Sequence, residues 1–280
     1  MKNVTINDIK RAVSDLGIRE GDIVLVHSSL KSLGYVEGGA DTVIDGFLDV
    51  IGESGTLVFP TLCQRDWDNV YKNWHLDAPS DVGYITNVFR KRSNALRSNQ
   101  ATHSVAAIGK KAKYITETHG ESGKRIGIFG DTPFSADSPW EKMYMLGTKV
   151  VFLGVGVISC TFRHYAEYIF IDKCLRDIQD HPDYNKMKEQ LWLYGKKCGV
   201  WPHICNDTIY DYLKKAGKVN TTVCGNTTLI CVNAVDFVDC ALKALEEVNR
   251  DCFWDIPEAW DINETIKWIE RINEIRNRKI

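Results

Sequence analysis

The chain has 280 residues, of which 44% are hydrophobic and 26% charged, and its formal net charge at pH 7 is −2. These values are typical of a globular protein long enough for one large domain or two small ones. They exclude the strongly basic surface of a nucleic-acid-binding protein, and the longest apolar run, "VVFLGVGVI", is too short to span a bilayer. We therefore expect no nucleic-acid partner and no membrane.

Helical and strand patterns alternate along the chain. Residues 5–17 predict an amphipathic helix with Thr5 or Asn7 as its N-cap and Gly17 as its stop. Buried strands are predicted for 22–27, 55–61, 104–109, 149–156 and 227–233, and further helices for 38–52, 81–92 and about 233–248. This alternation predicts an α/β fold in which helices cover a sheet. Because we find no repeat or linker, we predict a single domain over 1–280, with a helical C-terminal segment at about 255–280.

The first residues and the cysteines indicate the compartment. "MKNVTINDIKRAV" is charged and lacks the apolar core of a signal peptide. The nine cysteines form no C-x-x-C pair, which is typical of reduced thiols. We predict a cytoplasmic protein. Cys198, His203 and Cys205 resemble part of a zinc site, but no second arm of ligands follows at the usual spacing, so we expect no metal.

The stretch "VHSSLKSLG" (26–34) is a candidate anion-binding turn. A buried strand ends at His27, and Ser28, Ser29 and Ser32 follow it. Hydroxyls and unpaired backbone N–H groups at a strand-to-helix junction favour phosphates, and Lys31 adds a positive charge. The alternative is that one serine merely caps a helix, which is common. The motif alone leaves both explanations open.

A second candidate segment is "RSNQATHSVAAIG" (97–109), which precedes a predicted strand. Arg97 could bind a phosphate through two parallel hydrogen bonds. A histidine such as His103 is by itself more often a structural residue that forms internal hydrogen bonds than a catalyst.

His164 and Glu167 lie three residues apart in "SCTFRHYAEY" (159–168), so on a helix their side chains share one face. Such a pair is a metal site, a general base with an orienting carboxylate, or a buried hydrogen bond. A metal needs a third ligand, and no H-E-x-x-H pattern supplies one. The pair by itself leaves catalysis and a structural role equally open.

Several blocks together resemble one family. They are "LVHSSLKSLGYVEGGADTVIDGFLDVIGESGTLVFPT" (25–61), "RSNQATHSVAAIG" (97–109), "FSADSPWEKMYMLGTKVVFLGVG" (134–156), "TFRHYAEY" (161–168) and "IYDYLKKAGKVNTTVCGNTTLICVNAVDFVDCALKAL" (209–245). In this order and spacing they resemble the aminoglycoside 3-N-acetyltransferases, which differ in fold from the GNAT acetyltransferases. The resemblance covers most of residues 5–245. It implies a layered α/β/α sandwich around a central mixed sheet.

The resemblance also implies an activity, transfer of an acetyl group from acetyl-CoA to an amino group of an aminoglycoside or a related amine, and hence antibiotic resistance. His164 takes the position of the family's catalytic base, oriented by Glu167 or another carboxylate. Asp66 becomes a candidate to hold substrate ammonium groups, to which Asp68, Asp77 and Asp81 could add negative charge. The residues implied in binding coenzyme A are His27, Ser28, Ser29, Leu30, Lys31, Ser32, Arg97, His103, Ser104 and Val105.

Three departures from the family pattern leave the acceptor amine open. Gln100 and Ala101 stand in place of a His-Pro pair, and Arg163 stands where an apolar residue usually precedes the base. Lysines occur in "LWLYGKKCGVWPHI" (191–204), where some members carry an acidic residue, and positive charge there would oppose a polycationic antibiotic. The acceptor is therefore an aminoglycoside or another amine. The alternatives are a metal-dependent hydrolase and a family fold that has lost activity and only binds CoA.

Overall fold

The structure is a computed structural model that describes residues 3–65, 70–119, 133–191, 200–254 and 261–278. The chain forms two compact units. Unit 1 comprises Met1–Ser159 and Ala216–Asp236, and unit 2 comprises Cys160–Lys215 and Phe237–Ile280. That the whole chain is one domain stays a prediction, and each unit is described by itself.

Unit 1 contains a mixed sheet of seven described strands, in the order β3-β4-β2-β1-β5-β7-β6. The strands are β1 (Ile23–Ser28), β2 (Thr56–Pro60), β3 (Leu96–Arg97), β4 (Val105–Gly109), β5 (Lys149–Leu153), β6 (Val219–Cys224) and β7 (Thr227–Asn233). Strand β1 pairs in parallel with β2 and β5, and the remaining pairs are antiparallel. The mixed sheet with its helices confirms the predicted α/β class.

The described helices of unit 1 are α1 (Ile6–Asp15), α2 (Leu30–Leu33), α3 (Gly39–Ile51), α4 (Val70–Asn73), α5 (Tyr84–Phe89), α6 (Ala112–Thr116) and α7 (Pro139–Met145). Helix α1 begins where predicted, because the Thr5 and Asp8 side chains form a capping box. Strand residues of alternating position, such as Val24 and Val26, pack with α1, α3 and α5 in one apolar core. Leu25 and His27 consequently lie on the other face of β1.

Unit 2 is helical in its described residues. Its helices are α8 (Phe162–Asp177), α9 (Tyr184–Gln190), α10 (Asn206–Lys215), the larger part of α11 (Ala234–Glu246) and α12 (Ile262–Asn277). Helix α12 lies within the segment for which a C-terminal helix was predicted. It contacts α9 through the indole of Trp268, which donates to the Met187 carbonyl at 3.0 Å. Among the residues the structure describes, no helix has the length and apolar character needed to cross a membrane.

Candidate active site

Helix α8 places a carboxylate in the core of unit 2. Its buried residues are Phe162, Tyr165, Ala166, Glu167, Phe170, Ile171 and Cys174. This spacing of three and four is that of one helix face, so Glu167 occupies a position where an apolar residue would be expected. Glu167 is fully buried, and a buried carboxylate is stable only when its oxygens are hydrogen-bonded.

Glu167 accepts hydrogen bonds from three N–H groups. Its Oε2 atom lies 2.9 Å from Nδ1 of His164, as their spacing on one helix face predicted, and 2.8 Å from Nε1 of Trp201. Its Oε1 atom lies 2.8 Å from the backbone nitrogen of Ile204. An indole and a backbone amide can only donate, so the acceptor at the centre of this cluster is the carboxylate.

Backbone pairing between two segments of unit 2 helps to position these donors around Glu167. Ile204 and Phe253 form an antiparallel bridge, and the backbone N–H of Trp254 donates to the carbonyl of His203 at 2.8 Å. These contacts hold the segment to residues 253–254, and the bonds from Trp201 and Ile204 to Glu167 hold it against α8. The interpretation of the sequence includes His203 only in a possible zinc fragment and assigns no role to Trp201. Their link to Glu167 joins residues more than 30 positions apart, which no local pattern reveals.

The charges in this cluster favour an ionised carboxylate and neutral imidazoles. Burial alone would raise the pKa of Glu167, but His164, with smaller contributions from His203 and Arg163, lowers it to about 2. Burial lowers the pKa of His203 to about 3. Burial also lowers the pKa of His164; Glu167 opposes this shift and Arg163 adds to it.

These states fix the protonation of His164. Because the ionised Glu167 can only accept, the Nδ1 atom of His164 carries the proton and its Nε2 atom carries the lone pair. The Nε2 atom lies 3.3 Å from Nε of Arg163. A neutral imidazole whose Nδ1–H is bonded to a carboxylate is oriented to accept a proton at Nε2.

The same cluster contains the third metal ligand that the sequence did not supply. Ligand atoms of His164, Glu167 and His203 lie within 4.8 Å of one another. However, the Glu167 oxygens already accept the three N–H groups described above, so an ion bound there would have to displace at least one donor. The donor set therefore fits a hydrogen-bonded base better than a metal centre.

The serine turn of unit 1, residues 27–32, contains two polar atoms that form no hydrogen bond to the described residues. Ser28 Oγ and His27 Nε2 are buried and have no hydrogen-bond partner among the described residues. Ser32 Oγ lies 2.9 Å from Ser29 Oγ and 2.8 Å from the Gly154 carbonyl. A Cβ atom at Gly154, where φ is +67°, would collide with Ser32, so only glycine permits this close approach.

The rest of this turn differs from the expected anion cradle. Leu30 packs against the apolar core, Lys31 is exposed, and Ser29 is the N-cap of α2 but makes no capping bond with its side chain. Helix α2 has only four residues, so its dipole contributes little to anion binding. This turn could therefore bind a ligand through the unpaired polar atoms of Ser28 and His27, and not through a helix terminus.

Arg97 lies in unit 1 with all its N–H groups engaged. Its guanidinium donates to the carbonyls of Leu76, Ala78 and Thr61 at 2.5–2.8 Å, to the Cys63 sulfur, and through Nε to the hydroxyls of Thr61 and Ser104. Its assignment to CoA binding stays a prediction, but the geometry leaves Arg97 no free donor. Through these bonds Arg97, which lies in β3, stabilises the loop that follows β2.

His103 is also enclosed by protein groups. It is 1% exposed, with Nδ1 2.8 Å from the Thr102 hydroxyl and Nε2 3.1 Å from the Gln64 amide nitrogen. Gln100, one of the two departures in this segment, accepts from the His103 backbone N–H at 2.6 Å. The neighbouring Ser104 hydroxyl and Val105 N–H bond to Thr61 and Ser98. Cofactor binding by His103, Ser104 and Val105 remains a prediction, and none of the three exposes a polar group that would support it.

The predicted substrate carboxylates are only partly described. Asp66 and Asp68 lie outside the described residues, as do the lysines of 192–199. Asp77 is exposed. The Asp81 carboxylate accepts the backbone N–H groups of Gln64 and Arg65 at 2.6 and 2.9 Å, which indicates a loop-stabilising role.

Comparison with known proteins identifies the family of the chain. The model of the family described as aminoglycoside 3-N-acetyltransferase matches residues 25–246, which is most of the chain. The chain belongs to this family. The resemblance inferred from the ordered sequence blocks is thus confirmed.

Curated members of the aminoglycoside 3-N-acetyltransferase family match over part of their length. Aminoglycoside N(3)-acetyltransferase VII of Streptomyces paromomycinus is 30% identical over 59% of this chain and 60% of the relative. Aminoglycoside N(3)-acetyltransferase III of a Salmonella species is 33% identical over 58% of this chain and 59% of the relative. The matched region therefore spans about three fifths of these relatives.

Solved structures of the family share the fold over nearly the whole chain. The aminoglycoside acetyltransferase AAC(3)-IVa superposes with a TM-score of 0.71 at 21% identity, covering 96% of this chain and 99% of its own. AAC-IIIb in a binary complex with CoASH superposes with a TM-score of 0.68 at 18% identity, covering 91% and 100%. A variant of AAC(3)-IVa in complex with a gentamicin gives 0.70 at 21% identity, covering 96% and 99%.

Proposed function

We propose that the protein is an acetyl-CoA-dependent N-acetyltransferase in which His164 accepts a proton from the acceptor amine. The observation that carries this proposal is the bond of 2.9 Å between His164 Nδ1 and the buried carboxylate of Glu167. It leaves the Nε2 atom with a lone pair and fixes the orientation of the ring. Membership of the aminoglycoside 3-N-acetyltransferase family supplies the reaction class.

The chemistry requires such a base because an alkylammonium group has no lone pair with which to attack a carbonyl. His164 Nε2 removes the ammonium proton, and the charge of Glu167 stabilises the imidazolium that results. Base catalysis by a positioned side chain contributes roughly 10²–10⁴-fold to a rate. Glu167 contacts no substrate in this scheme and acts by orienting His164.

Acetyl-CoA would supply the acetyl group as a thioester. We assign its binding to the serine turn of unit 1, where Ser28 Oγ and His27 Nε2 are buried atoms that lack a partner among the described residues. A ligand with hydrogen-bonding groups would satisfy both atoms. A solved structure with this fold, AAC-IIIb, is a binary complex with CoASH, which supports CoA as the cosubstrate. The names of the relatives favour an amino group of an aminoglycoside or a related amine as acceptor.

A metal-dependent hydrolase is the second candidate, because His203 supplies a third group beside His164 and Glu167. Dialysis against a chelator separates the two functions. The acetyltransferase keeps its activity after dialysis, and the purified protein contains less than stoichiometric metal. Loss of activity on dialysis, restored by a divalent ion, would favour the metal.

The proposed function is tested by thiol release from acetyl-CoA with a panel of amines that includes aminoglycosides. We expect His164→Ala to lower kcat by roughly 10²–10⁴-fold while leaving the affinity for CoA unchanged. The matched variant Ser28→Ala should do the opposite, raising the KM for acetyl-CoA while kcat is largely kept. Near-normal turnover by His164→Ala would refute the assignment of the base.

A further inference from the structure

Arg163 precedes the proposed base on α8 and has no acidic partner in the described part of the chain. Its Nε atom lies 3.3 Å from His164 Nε2, and its guanidinium carbon lies 5.3 Å from the centre of a Trp254 ring. Glu167 acts on it only at longer range, since that carboxylate is already bonded to His164, Trp201 and Ile204. An arginine beside the base thus carries a positive charge that no neighbouring carboxylate of the described chain binds.

Two buried donors at this place have no acceptor within the described part of the chain. The Nη1 atom of Arg163 and the Nε1 atom of Trp254 are both buried and lack a hydrogen-bond partner among the described residues. Both groups can only donate. Since buried polar groups are nearly always bonded, what is missing here is an acceptor. Carboxylate and phosphate oxygens are the acceptors that suit a guanidinium best.

Arg163 also occupies the lone pair that the reaction needs. Because His164 Nδ1 donates to Glu167, only Nε2 can take the amine's proton, and the Arg163 Nε–H points at that atom. An anionic group that draws the guanidinium away would free Nε2. A polycationic acceptor would instead be repelled by Arg163 where its amine has to react.

We propose that Arg163 and the indole N–H of Trp254 bind an anionic group of the acceptor, so that the acceptor is an amine carrying a carboxylate or a phosphate. This inference rests on the proposed N-acetyltransferase function and specifies the substrate class of the same site. Acetyl-CoA is an unsuitable source of the anion, because its pantetheine arm separates the phosphates from the thioester that must reach the base.

The test measures thiol release with matched acceptor pairs that differ in one anionic group. The pairs are ethanolamine with phosphoethanolamine, glucosamine with glucosamine 6-phosphate, and 3-aminopropanol with β-alanine; gentamicin represents the polycations. We expect kcat/KM to be roughly 10–100-fold higher for the anionic member, the value of a charge-assisted hydrogen bond. The phosphate and carboxylate pairs show which anion is preferred.

Variants then assign the preference to Arg163. Arg163→Gln should abolish it without changing the KM for acetyl-CoA, and Arg163→Lys, which keeps the charge, should retain part of it. Arg176→Gln is the matched control, because Arg176 lies on the same helix with a 71% exposed side chain paired to Asp172. A preference that survives in Arg163→Gln, the absence of any preference in the wild type, or a raised KM for acetyl-CoA as the sole effect would overturn the proposal.

Calorimetric binding separates this inference from the proposed function. If the wild type acetylates no amine in the panel, the proposed function fails, and binding of phosphoethanolamine against ethanolamine still decides the role of Arg163. Tighter binding of the phosphorylated amine that is lost in Arg163→Gln but not in Arg176→Gln supports an anion site. Equal binding of both amines to wild type and variant overturns it.

Discussion

Two histidines that the sequence singled out are both buried or nearly so, yet they differ in their partners. In unit 2 the Nδ1 atom of His164 meets the ionised carboxylate of Glu167 at 2.9 Å. In unit 1 the ring of His103 lies between the Thr102 hydroxyl and the Gln64 amide, which are neutral.

The difference shows what converts a buried histidine into a base. A carboxylate holds one tautomer and compensates the charge that appears when the ring accepts a proton. The described partners of His103, a hydroxyl and an amide, hold the ring but carry no charge that could compensate its protonation. The partner of the imidazole, more than its burial, decides between catalysis and structure.

Glu167→Gln removes that compensation and should have the largest effect. We expect kcat to fall by roughly 10²–10⁴-fold, because a neutral amide neither fixes the His164 tautomer nor stabilises the imidazolium. Since Glu167 raises the pKa of His164 against the effect of burial, the acidic limb of the kcat profile should also move to lower pH.

The pH profile and nitrogen NMR of the imidazole distinguish this positioning role from simple loss of structure. Nitrogen NMR of the wild type should show the Nδ1-protonated tautomer, and Glu167→Gln should show a mixture. Circular dichroism verifies the fold of the variant. An unchanged tautomer and an unshifted pH profile would mean that Glu167 only stabilises unit 2.

His103→Gln is the corresponding change in unit 1, and its expected effect is smaller and of another kind. Loss of the bonds to Thr102 and Gln64 should lower the free energy of unfolding by about 1–3 kcal/mol, measured by urea titration. The KM for acetyl-CoA should stay within about threefold, since the ring is enclosed by protein groups. The control His75→Gln changes an exposed histidine of the same unit.

A clear rise in the KM for acetyl-CoA in His103→Gln would reverse this conclusion. It would support the cofactor-binding role that the sequence resemblance implies for the segment from His103 to Val105.

The main elements of the fold could be predicted from sequence, because they bury strong apolar patterns. The five predicted strands correspond to β1, β2, β4, β5 and β7. Strands β3 and β6 were missed for physical reasons. Strand β3 has two residues, and β6 is an edge strand in which only Cys224 is buried, so neither carries a continuous buried pattern.

The site could be predicted only as far as local spacing reaches. The meeting of His164 with Glu167 follows from their separation of three on a helix. The contacts of Glu167 with Trp201 and Ile204 depend on tertiary pairing. Nor could the sequence show that Arg97, chosen as a phosphate ligand, donates its N–H groups to the protein.

A third buried histidine, His119, also tests the rule that the hydrogen-bonding partner determines the role of a buried imidazole. His119 has no carboxylate partner in its described contacts: the Ser98 hydroxyl lies 2.8 Å from Nδ1 and the Pro133 carbonyl 2.9 Å from Nε2. A carbonyl can only accept, so Nε2 carries the proton and Ser98 donates to Nδ1. Burial lowers the pKa of His119 to about 4, which keeps the ring neutral at physiological pH.

The consequence for stability has a definite sign. Between about pH 6.5 and pH 4 the unfolded chain binds a proton at His119 that the folded chain does not, so stability falls as the pH falls through this window. At pH 5 the loss is about 2 kcal/mol. The variant His119→Gln lacks this proton, so its stability deficit relative to wild type should shrink by that amount between pH 7 and pH 5. Hydrogen exchange of the β4 amides, which lie in the same unit, measures the difference. A deficit that is equal at both pH values would show that folding does not lower the pKa of His119.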